Sequence, residues 1–386
     1  MKFWPPYKRR RIFADAAAGL YNPSALHQEG AAAKKKLGIA RAKIAGAIGA
    51  HADEIVFTSG GTEANNFTIF GALRPLLRAG RGSSVGGVHA VTTVLEHPSV
   101  LEPLRALVKE GLILTELGVD EEGRVNEKNL KESITDATVF VSIQLVNSEI
   151  GTIQDIRTAV KVLRHARKAR TTDLPLLLHT DASQAPLWLK LNVEKLGVDT
   201  MTLDAQKVFA PNGTGALYVR RGVVLEPIIL GGGQENSLRS GTESVALAEE
   251  FATALLRAQK NADSVAEKIS EVRDFLFDEI KKLIPDAILN GPSSGYTRVA
   301  SNLNVSIPGL DGQMAVIAMD ALGVALSTRS ACSVEDEAFS YILTAIGADR
   351  ARAQSALRIT LMPGTSKRDA INIARALARV VDLYRR

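Results

Sequence analysis

The sequence predicts an α/β fold, with a large domain built on a mainly parallel sheet and a smaller α+β domain after it. Three observations lead to this fold class. The chain has 386 residues, more than one hydrophobic core usually serves. Apolar runs alternate with helical patterns between about residues 52 and 235, and the pattern then changes to long helices and isolated strands. We expect the domains to span 12–240 and 241–386, with a boundary loop near 231–233.

The strands of the large domain are predicted by short runs rich in Val, Ile and Leu. Several of these runs show no polar alternation, which suits strands that are buried on both faces of a sheet. Helical patterns lie between them, for example at 97–110 and 155–170, so the order of elements predicts repeated strand–helix–strand units. The runs are EIVFTSG, GVHAVTTV, LILTELG, TVFVSIQLV, LPLLLHTD, VDTMTLD and GALYVRR.

The smaller domain is predicted from a different pattern. Residues 244–284 form long helical patterns, and SNLNVSI, GVALS and ALRITL follow as isolated strands. A closing helix is predicted in TSKRDAINIARALARVVDLYRR, with Thr365 or Ser366 as its N-terminal cap.

The composition favours a soluble globular enzyme and excludes several other classes. Hydrophobic residues make up 46% of the chain and charged residues 23%, and the net charge of +5 is too small to indicate nucleic-acid binding. The basic run 8–11 is interpreted as a solvated tail, with a nucleic-acid or membrane contact as the alternative. No apolar stretch reaches the roughly 18 residues of a membrane span, and MKFWPPYKRRR lacks the apolar core of a secretion signal. The single cysteine favours a reducing cytoplasm.

Small residues follow the first predicted strand, where a helix begins. The segment SGGTEANN, residues 59–66, leaves backbone N–H groups free to bind a phosphate, and Thr62 adds a hydroxyl. It is not a P-loop, because no Gly-Lys-Ser/Thr follows. An ordinary capped turn is the alternative interpretation.

Polar residues also follow the later strands, where ligands gather in open α/β sheets. They include His97, Asn147, Asp181 with Gln184, and Lys207. A carboxylate at the end of an apolar strand needs a donor partner, and a lysine there can lose its charge by desolvation and become nucleophilic. An Asp and a Lys at successive strand ends, together with the phosphate-type helix start, fit pyridoxal 5′-phosphate. Lys207 would form the Schiff base, and Asp181 would keep the pyridine nitrogen protonated.

The order of motifs resembles that of cysteine desulfurases of the NifS/IscS type, within the class V aminotransferase family. The resemblance runs from about residue 12 to the C-terminus and implies the type I fold of pyridoxal-phosphate transferases, a homodimer, and no resident metal. It is carried by FTSGGTEANN, LEHPSVL, VNSEIG, TDASQ, QKVFAPNGTGALYVRR, GGGQENSLRSGT, SNLNVS, STRSACS and ALRITL.

The resemblance assigns a role to each candidate residue. Lys207 corresponds to the cofactor lysine, Asp181 to the partner of the ring nitrogen, Gln184 to the ring-oxygen contact, and His97 to the catalytic histidine that stacks on the ring. The phosphate contacts correspond to Gly61, Thr62 and Gln206, with Thr242 supplied by the other subunit. Asn147 and Arg358 correspond to groups that bind the substrate carboxylate, Asn147 also lying against the cofactor.

The sole cysteine, Cys332 in STRSACSVED, corresponds to the persulfide-forming nucleophile. A buried core thiol is the alternative for a single cysteine. The implied activity removes sulfur from L-cysteine, leaving L-alanine and a persulfide. The implied partner is a sulfur acceptor for iron–sulfur cluster assembly or tRNA thiolation, with no membrane or direct nucleic-acid contact. Selenocysteine lyase or a related lyase, and an impaired family member that acts as a binding partner, are the alternatives.

The chain departs from the family pattern at a few positions. Asp204 replaces a serine, and we expect its carboxylate to turn away, to be protonated or to pair with a base, because it would repel a phosphate. Gln206 replaces a histidine but still donates a hydrogen bond. Arg329 stands where the family has a small residue, and either assists the thiol or is solvated. The N-terminal segment FADAAAGLYNPSALHQEG is shorter than its family counterpart, which would leave the site more open or leave a neighbouring subunit to close it. The segment LMPG, residues 361–364, replaces a more polar segment of the family.

Overall fold

The computed structural model describes residues 21–80, 86–293, 297–328 and 340–385. Its large sheet consists of β1 (Ile55–Thr58), β2 (Val88–Thr93), β3 (Leu112–Leu117), β4 (Thr138–Ser142), β5 (Leu177–Asp181), β6 (Thr200–Asp204) and β7 (Gly215–Val219). The small sheet consists of β8 (Ile288–Leu289), β9 (Asn302–Ser306) and β10 (Ala356–Thr360).

The helices lie between and after these strands. They are α1 (Gln28–Ile48), α2 (Gly61–Arg78), α3 (Pro98–Val108), α4 (Glu127–Ser133), α5 (Ile156–Ala169), α6 (Val193–Leu196), α7 (Val245–Leu283), α8 (Gly312–Ala321), α9 (Tyr341–Ala345), α10 (Arg350–Gln354) and α11 (Lys367–Arg385). Among the described residues, no helix is long and apolar enough to cross a membrane.

The seven-stranded sheet has the order β1-β7-β6-β5-β4-β2-β3. Strands β2 to β6 pair in parallel, and β7 runs antiparallel to both of its neighbours. The reversal follows from the connection between β6 and β7, residues 205–214, which is shorter than the dozen or more residues that a parallel crossover requires. The prediction of a mainly parallel sheet is confirmed, and it places the carboxyl ends of β5 and β6 side by side.

The central strands are buried on both faces, as their continuous apolar runs predict. Every residue of β2, β4 and β7 is buried, whereas the edge strand β3 exposes Ile113. The buried strands lie between helices, and α2 packs beside β6 and β7.

The C-terminal part differs from its prediction in two elements. The predicted set of long helices is a single helix of 39 residues, α7, against which α1 and α11 pack. GVALS is not a strand: only Ser327 pairs with β10, through its isolated bridge to Arg358. The small sheet is completed by β8, and Ser366 caps α11 through its Oγ, which accepts from the Asp369 amide at 3.2 Å. One apolar core reaches both sheets, and the predicted domain boundaries at 12–240 and 241–386 stay a prediction.

Candidate active site

A cavity of about 320 Å³ lies at the carboxyl ends of β5 and β6, between the large sheet and the small one. It brings together every predicted site residue except Cys332 and Thr242. Its lining from the predicted set is Gly61, Thr62, His97, Asn147, Asp181, Gln184, Gln206, Lys207 and Arg358.

Two predicted residues are not part of this cavity as described. Cys332 lies outside the described residues, as does Arg329. Thr242 is exposed and lines a separate pocket of about 190 Å³ beside Arg239. Its predicted role in the other subunit of a dimer therefore stays a prediction.

Lys207 sits in a 3₁₀ turn, residues 205–208, directly after β6. The turn ends at Phe209, whose positive φ of 63° is uncommon for a non-glycine residue and redirects the chain. Lys207 is exposed in this chain. The predicted desolvation of its amine stays a prediction.

Asp181 ends β5, and its carboxylate is held by two donors. Asn65 donates from Nδ2 to Oδ2 at 2.8 Å, and the amide of Ser183 donates to Oδ1 at 2.9 Å. Asn65 is fully buried on α2, so the carboxylate has a fixed orientation toward the cavity. These partners satisfy the requirement that the sequence predicted for a carboxylate at this position.

His97 is the N-cap of α3, and its ring is held through one nitrogen. Nδ1 accepts from the Ser99 amide at 3.1 Å and lies 2.8 Å from the Ser99 hydroxyl. That hydroxyl accepts from Asn65 Nδ2 at 2.8 Å, which leaves its own hydrogen to donate to Nδ1. Neutral His97 therefore has its proton on Nε2. Burial lowers the pKa of His97, the negative charge of Asp181 opposes this, and Lys207 adds to it.

Asn65 links Asp181 and the Ser99 hydroxyl, which holds His97, to the buried ring of His179. Its Oδ1 accepts from Nε2 of His179 at 3.1 Å, and burial lowers the pKa of His179 to about 4, so this ring stays neutral. The sequence interpretation overlooked Asn65 and Ser99, although they lie in SGGTEANN and LEHPSVL. Their signal was a polar residue on the inward face of a helix start, beside a residue that had already been singled out.

Glu96, next to His97, is a buried acid that stays protonated at neutral pH. Burial raises the pKa of its carboxyl to about 8, and the negative charge of Asp181 adds to the effect. The Ser142 hydroxyl donates to Oε1 at 3.3 Å, and the backbone oxygen accepts from the Tyr341 hydroxyl at 2.8 Å. Glu96 thus avoids placing a second negative charge beside Asp181.

Arg358 and Asn147 form the side of the cavity nearest the small sheet. Arg358 donates from Nη1 to the Ser148 carbonyl at 3.3 Å, and its backbone pairs with Ser327. Asn147 accepts from the amides of Glu149 and Ile150 at 2.9 Å each and donates to the Leu95 carbonyl at 3.2 Å. Its carboxamide oxygen is thus occupied by backbone, and Nδ2 is the atom that can reach a ligand.

Another group of residues that lines the cavity suits an anion. It holds the first amide of α2, at Gly61, and the hydroxyl of Ser183, which is buried and has no hydrogen-bond partner in the described structure. A Cβ at position 61 would lie 3.0 Å from Ser183 Oγ and 3.2 Å from Asp204 Oδ2, so glycine is favoured there. The Asp204 carboxylate faces Gly61 and the cavity. The expectation that it turns away is therefore wrong.

These residues fit pyridoxal phosphate. A fixed carboxylate at Asp181 suits a protonated ring nitrogen, Lys207 supplies an amine, and the unpartnered Ser183 hydroxyl with the Gly61 amide suits a phosphate. The volume of about 320 Å³ lies within the range of small-molecule sites, roughly 300–1,000 Å³.

Substituting Ser99→Ala should move the acidic limb of activity to higher pH. Activity should fall as His97 becomes protonated, because a protonated Nδ1 no longer accepts from the Ser99 amide that orients the ring. The lowered pKa of His97 places that limb below the ordinary value near pH 6.5. The Ser99 hydroxyl stabilises the neutral ring by donating to Nδ1, so its loss raises the pKa of His97. The kcat/KM profile measures the limb, and Ser99→Thr should restore it. An unmoved limb in Ser99→Ala would contradict the assignment.

Comparison with known proteins gives the same picture. The family model for aminotransferase class-V matches residues 14–371. The chain is 38% identical over 364 residues to the cysteine desulfurase IscS of Dictyoglomus turgidum, covering 94% of this chain and 88% of that protein. Among solved structures it is similar to a NifS-like protein, with TM-score 0.84, 28% identity, and 94% and 92% coverage of the two chains. It is also similar to SspA in complex with cysteine, with TM-score 0.73, 30% identity, and 89% and 92% coverage.

Proposed function

The chain belongs to the aminotransferase class-V family and is a pyridoxal-phosphate-dependent cysteine desulfurase, and from this premise we propose how its residues divide the reaction. The proposal rests on one observation: an amine, a fixed carboxylate, a neutral imidazole and a guanidinium line a single cavity at the carboxyl ends of β5 and β6.

The net reaction converts L-cysteine and the Cys332 thiol into L-alanine and a Cys332 persulfide. The bond between Cβ and sulfur breaks, a sulfur–sulfur bond forms, and the proton lost by Cys332 balances the one gained at Cβ. Pyridoxal phosphate supplies the aldehyde that joins the substrate amine and the ring that takes up the charge left at Cα.

Lys207 would hold the cofactor through its amine, and the same amine, when free, would remove the proton from Cα of the substrate. Its exposed position on the cavity wall gives the freed amine access to both tasks. Asp181 would keep the ring nitrogen protonated, because its carboxylate is fixed by Asn65 and Ser183. Gln184 lines the same cavity and would contact the ring oxygen.

His97 acts as a hydrogen-bond donor in this proposal. Its basic atom, Nδ1, already accepts from Ser99, so Nε2–H is the atom left for the substrate. The proton that Cys332 gives up is the one that balances the proton gained at Cβ, so neutral His97 keeps its Nε2 hydrogen and uses it to hold the substrate. His97 is therefore kept neutral before the step, in agreement with the lowering of its pKa by burial.

Arg358 and Asn147 bind the substrate carboxylate. Arg358 brings a positive charge to the wall of the cavity that Lys207 also lines, and Asn147 adds one N–H from Nδ2. Thr242 is proposed to contact the phosphate from the second subunit of a homodimer.

Cys332 is proposed as the nucleophile, and chain geometry allows it to reach the cavity. It is five residues beyond Ser327, whose backbone pairs with that of Arg358 on the cavity wall. An extended chain spans up to about 3.6 Å per residue, so five residues can bridge at most about 18 Å. The attacking species is the thiolate, since the neutral thiol is a poor nucleophile.

The preferred substrate, the sulfur acceptor and the compartment are proposed as well. L-Cysteine is favoured over selenocysteine because Cys332 supplies the thiolate that sulfur transfer needs. A sulfur-acceptor protein for iron–sulfur cluster assembly or tRNA thiolation would take the persulfide. A reducing cytoplasm suits a chain whose one cysteine has to stay free for reaction.

Mass spectrometry of the protein after mixing with L-cysteine tests the function. One additional sulfur atom should appear on the peptide containing Cys332, and free alanine should appear with it in equal amount at the first turnover. Alanine without added sulfur would remove Cys332 from its role. Neither product, in a protein that holds its cofactor, would favour the impaired family member.

A further inference from the structure

The place that suits a phosphate already receives a negative charge from the chain itself. Asp204, the last residue of β6, accepts from the Gly61 amide through Oδ2 at 3.1 Å. Its other oxygen accepts from the Gln206 amide at 2.9 Å. The carboxylate thus joins the end of β6 to the start of α2.

This contact takes the position of a helix cap. The N-cap residue of α2 is Gly60, which has no side chain to accept from the first turn. A helix N-terminus attracts negative charge, and in this chain a carboxylate from a neighbouring strand supplies it. Asp204 therefore stabilises the start of α2 when no other anion is there.

A second observation marks the same place as a ligand site. Ser183 is buried, lines the cavity, and has no partner for its hydroxyl in the described structure, although its Oγ lies beside Gly61. A buried hydroxyl without a partner costs free energy, so an acceptor is expected there. Asp204 accepts the hydrogen bond of the Gly61 amide, whereas the Ser183 hydroxyl remains able to donate to an external anion.

We propose that the Asp204 carboxylate is a resident competitor for the phosphate of the cofactor. The inference rests on the proposed function, because it takes this cavity as the cofactor site. A phosphate entering here displaces Oδ2 from the Gly61 amide while remaining close to the charge of Asp204. The phosphate group thus adds less affinity than the same donors would give without that charge, and the ring and Lys207 hold a larger share of the cofactor's binding.

The selectivity between pyridoxal phosphate and pyridoxal measures this competition. We expect Asp204→Asn to raise the ratio of the Kd of pyridoxal to that of pyridoxal phosphate by at least about tenfold, because like charges a few ångström apart repel strongly in a partly buried site. Asp204→Ser should raise it by a similar factor. Both ligands are titrated into the cofactor-free protein and followed by visible absorption.

Thermal stability gives a second readout, independent of activity. Asp204→Ser should lower the Tm of the cofactor-free protein, because α2 loses its cap. Saturating pyridoxal phosphate should then stabilise this variant by more degrees than it stabilises wild type. Asp155→Ala is the matched control, because alanine has no side-chain acceptor for the capped amide. Asp155 caps α5 by accepting from the Thr158 amide at 3.1 Å, so its loss should lower the Tm of both forms and leave the selectivity unchanged.

The outcomes separate the inference from the function on which it rests. A selectivity ratio that is equal in wild type, Asp204→Asn and Asp204→Ser overturns the competitor role while leaving the cofactor site intact. Failure of every variant and of wild type to bind pyridoxal phosphate overturns the proposed function instead. An increased ratio in both variants, with the control unchanged, supports the inference.

Discussion

Replacing Cys332 by serine is expected to leave a yellow protein that still binds L-cysteine but releases sulfide at least about a thousandfold more slowly. Removing the nucleophile of a covalent mechanism usually has an effect of this size. Lys207, Asp181 and His97 are untouched by the substitution, so the cofactor and its visible absorption should remain. A hydroxyl does not accept sulfur from the substrate, because its pKa keeps it protonated and it forms no stable bond to that sulfur.

The measurement is sulfide release with a thiol reductant, together with the absorption spectrum before and after L-cysteine. The chain has a single cysteine, so the variant contains no thiol that can substitute for the missing one. Ser333→Ala, one position away, is the matched control and should retain turnover. Turnover close to wild type in Cys332→Ser would show that sulfur leaves the substrate without Cys332.

The large sheet could be predicted from the sequence because strands buried on both faces have continuous runs without polar alternation. Runs such as TVFVS and GALYV show no alternation of apolar and polar residues, and both are fully buried in the structure. GVALS carries a similar pattern and is not a strand. Of its residues only Ser327 meets an open edge of β10, so pairing stops after one bridge. Whether an apolar segment pairs depends on the edge it meets, and that edge lies elsewhere in the chain.

The candidate site also has a part that the sequence predicts and a part that it does not. Lys207, Asp181 and His97 follow strands, and the rule for strand ends predicts that they meet. The orientation of Asp204 does not follow from that rule, because the Gly61 amide that binds it is far away in sequence. The path from His97 through Ser99 and Asn65 to Asp181 was hidden for the same reason. Strand order places residues at one edge, and only the packed helices decide which hydrogen bonds they form.

Replacing Lys207 by alanine is expected to give a colourless protein with no measurable sulfide release. The substitution removes the amine that holds the cofactor and, in the proposed mechanism, the base for the proton at Cα. Loss of both roles should lower turnover by at least about 10⁴-fold. Lys207 is exposed and its truncation leaves the core unchanged, so the Tm of the cofactor-free protein should stay within a few degrees of wild type.

Borohydride reduction and peptide mapping provide the decisive comparison, because they fix the cofactor to the lysine that holds it. In wild type the label should lie on the peptide that contains Lys207, and in Lys207→Ala no peptide should carry it. Lys195→Ala removes an exposed lysine of α6 that does not line the cavity and should behave like wild type. A coloured Lys207→Ala protein with the cofactor fixed at another lysine would reassign the anchor, and with it the position of the ring between Asp181 and His97.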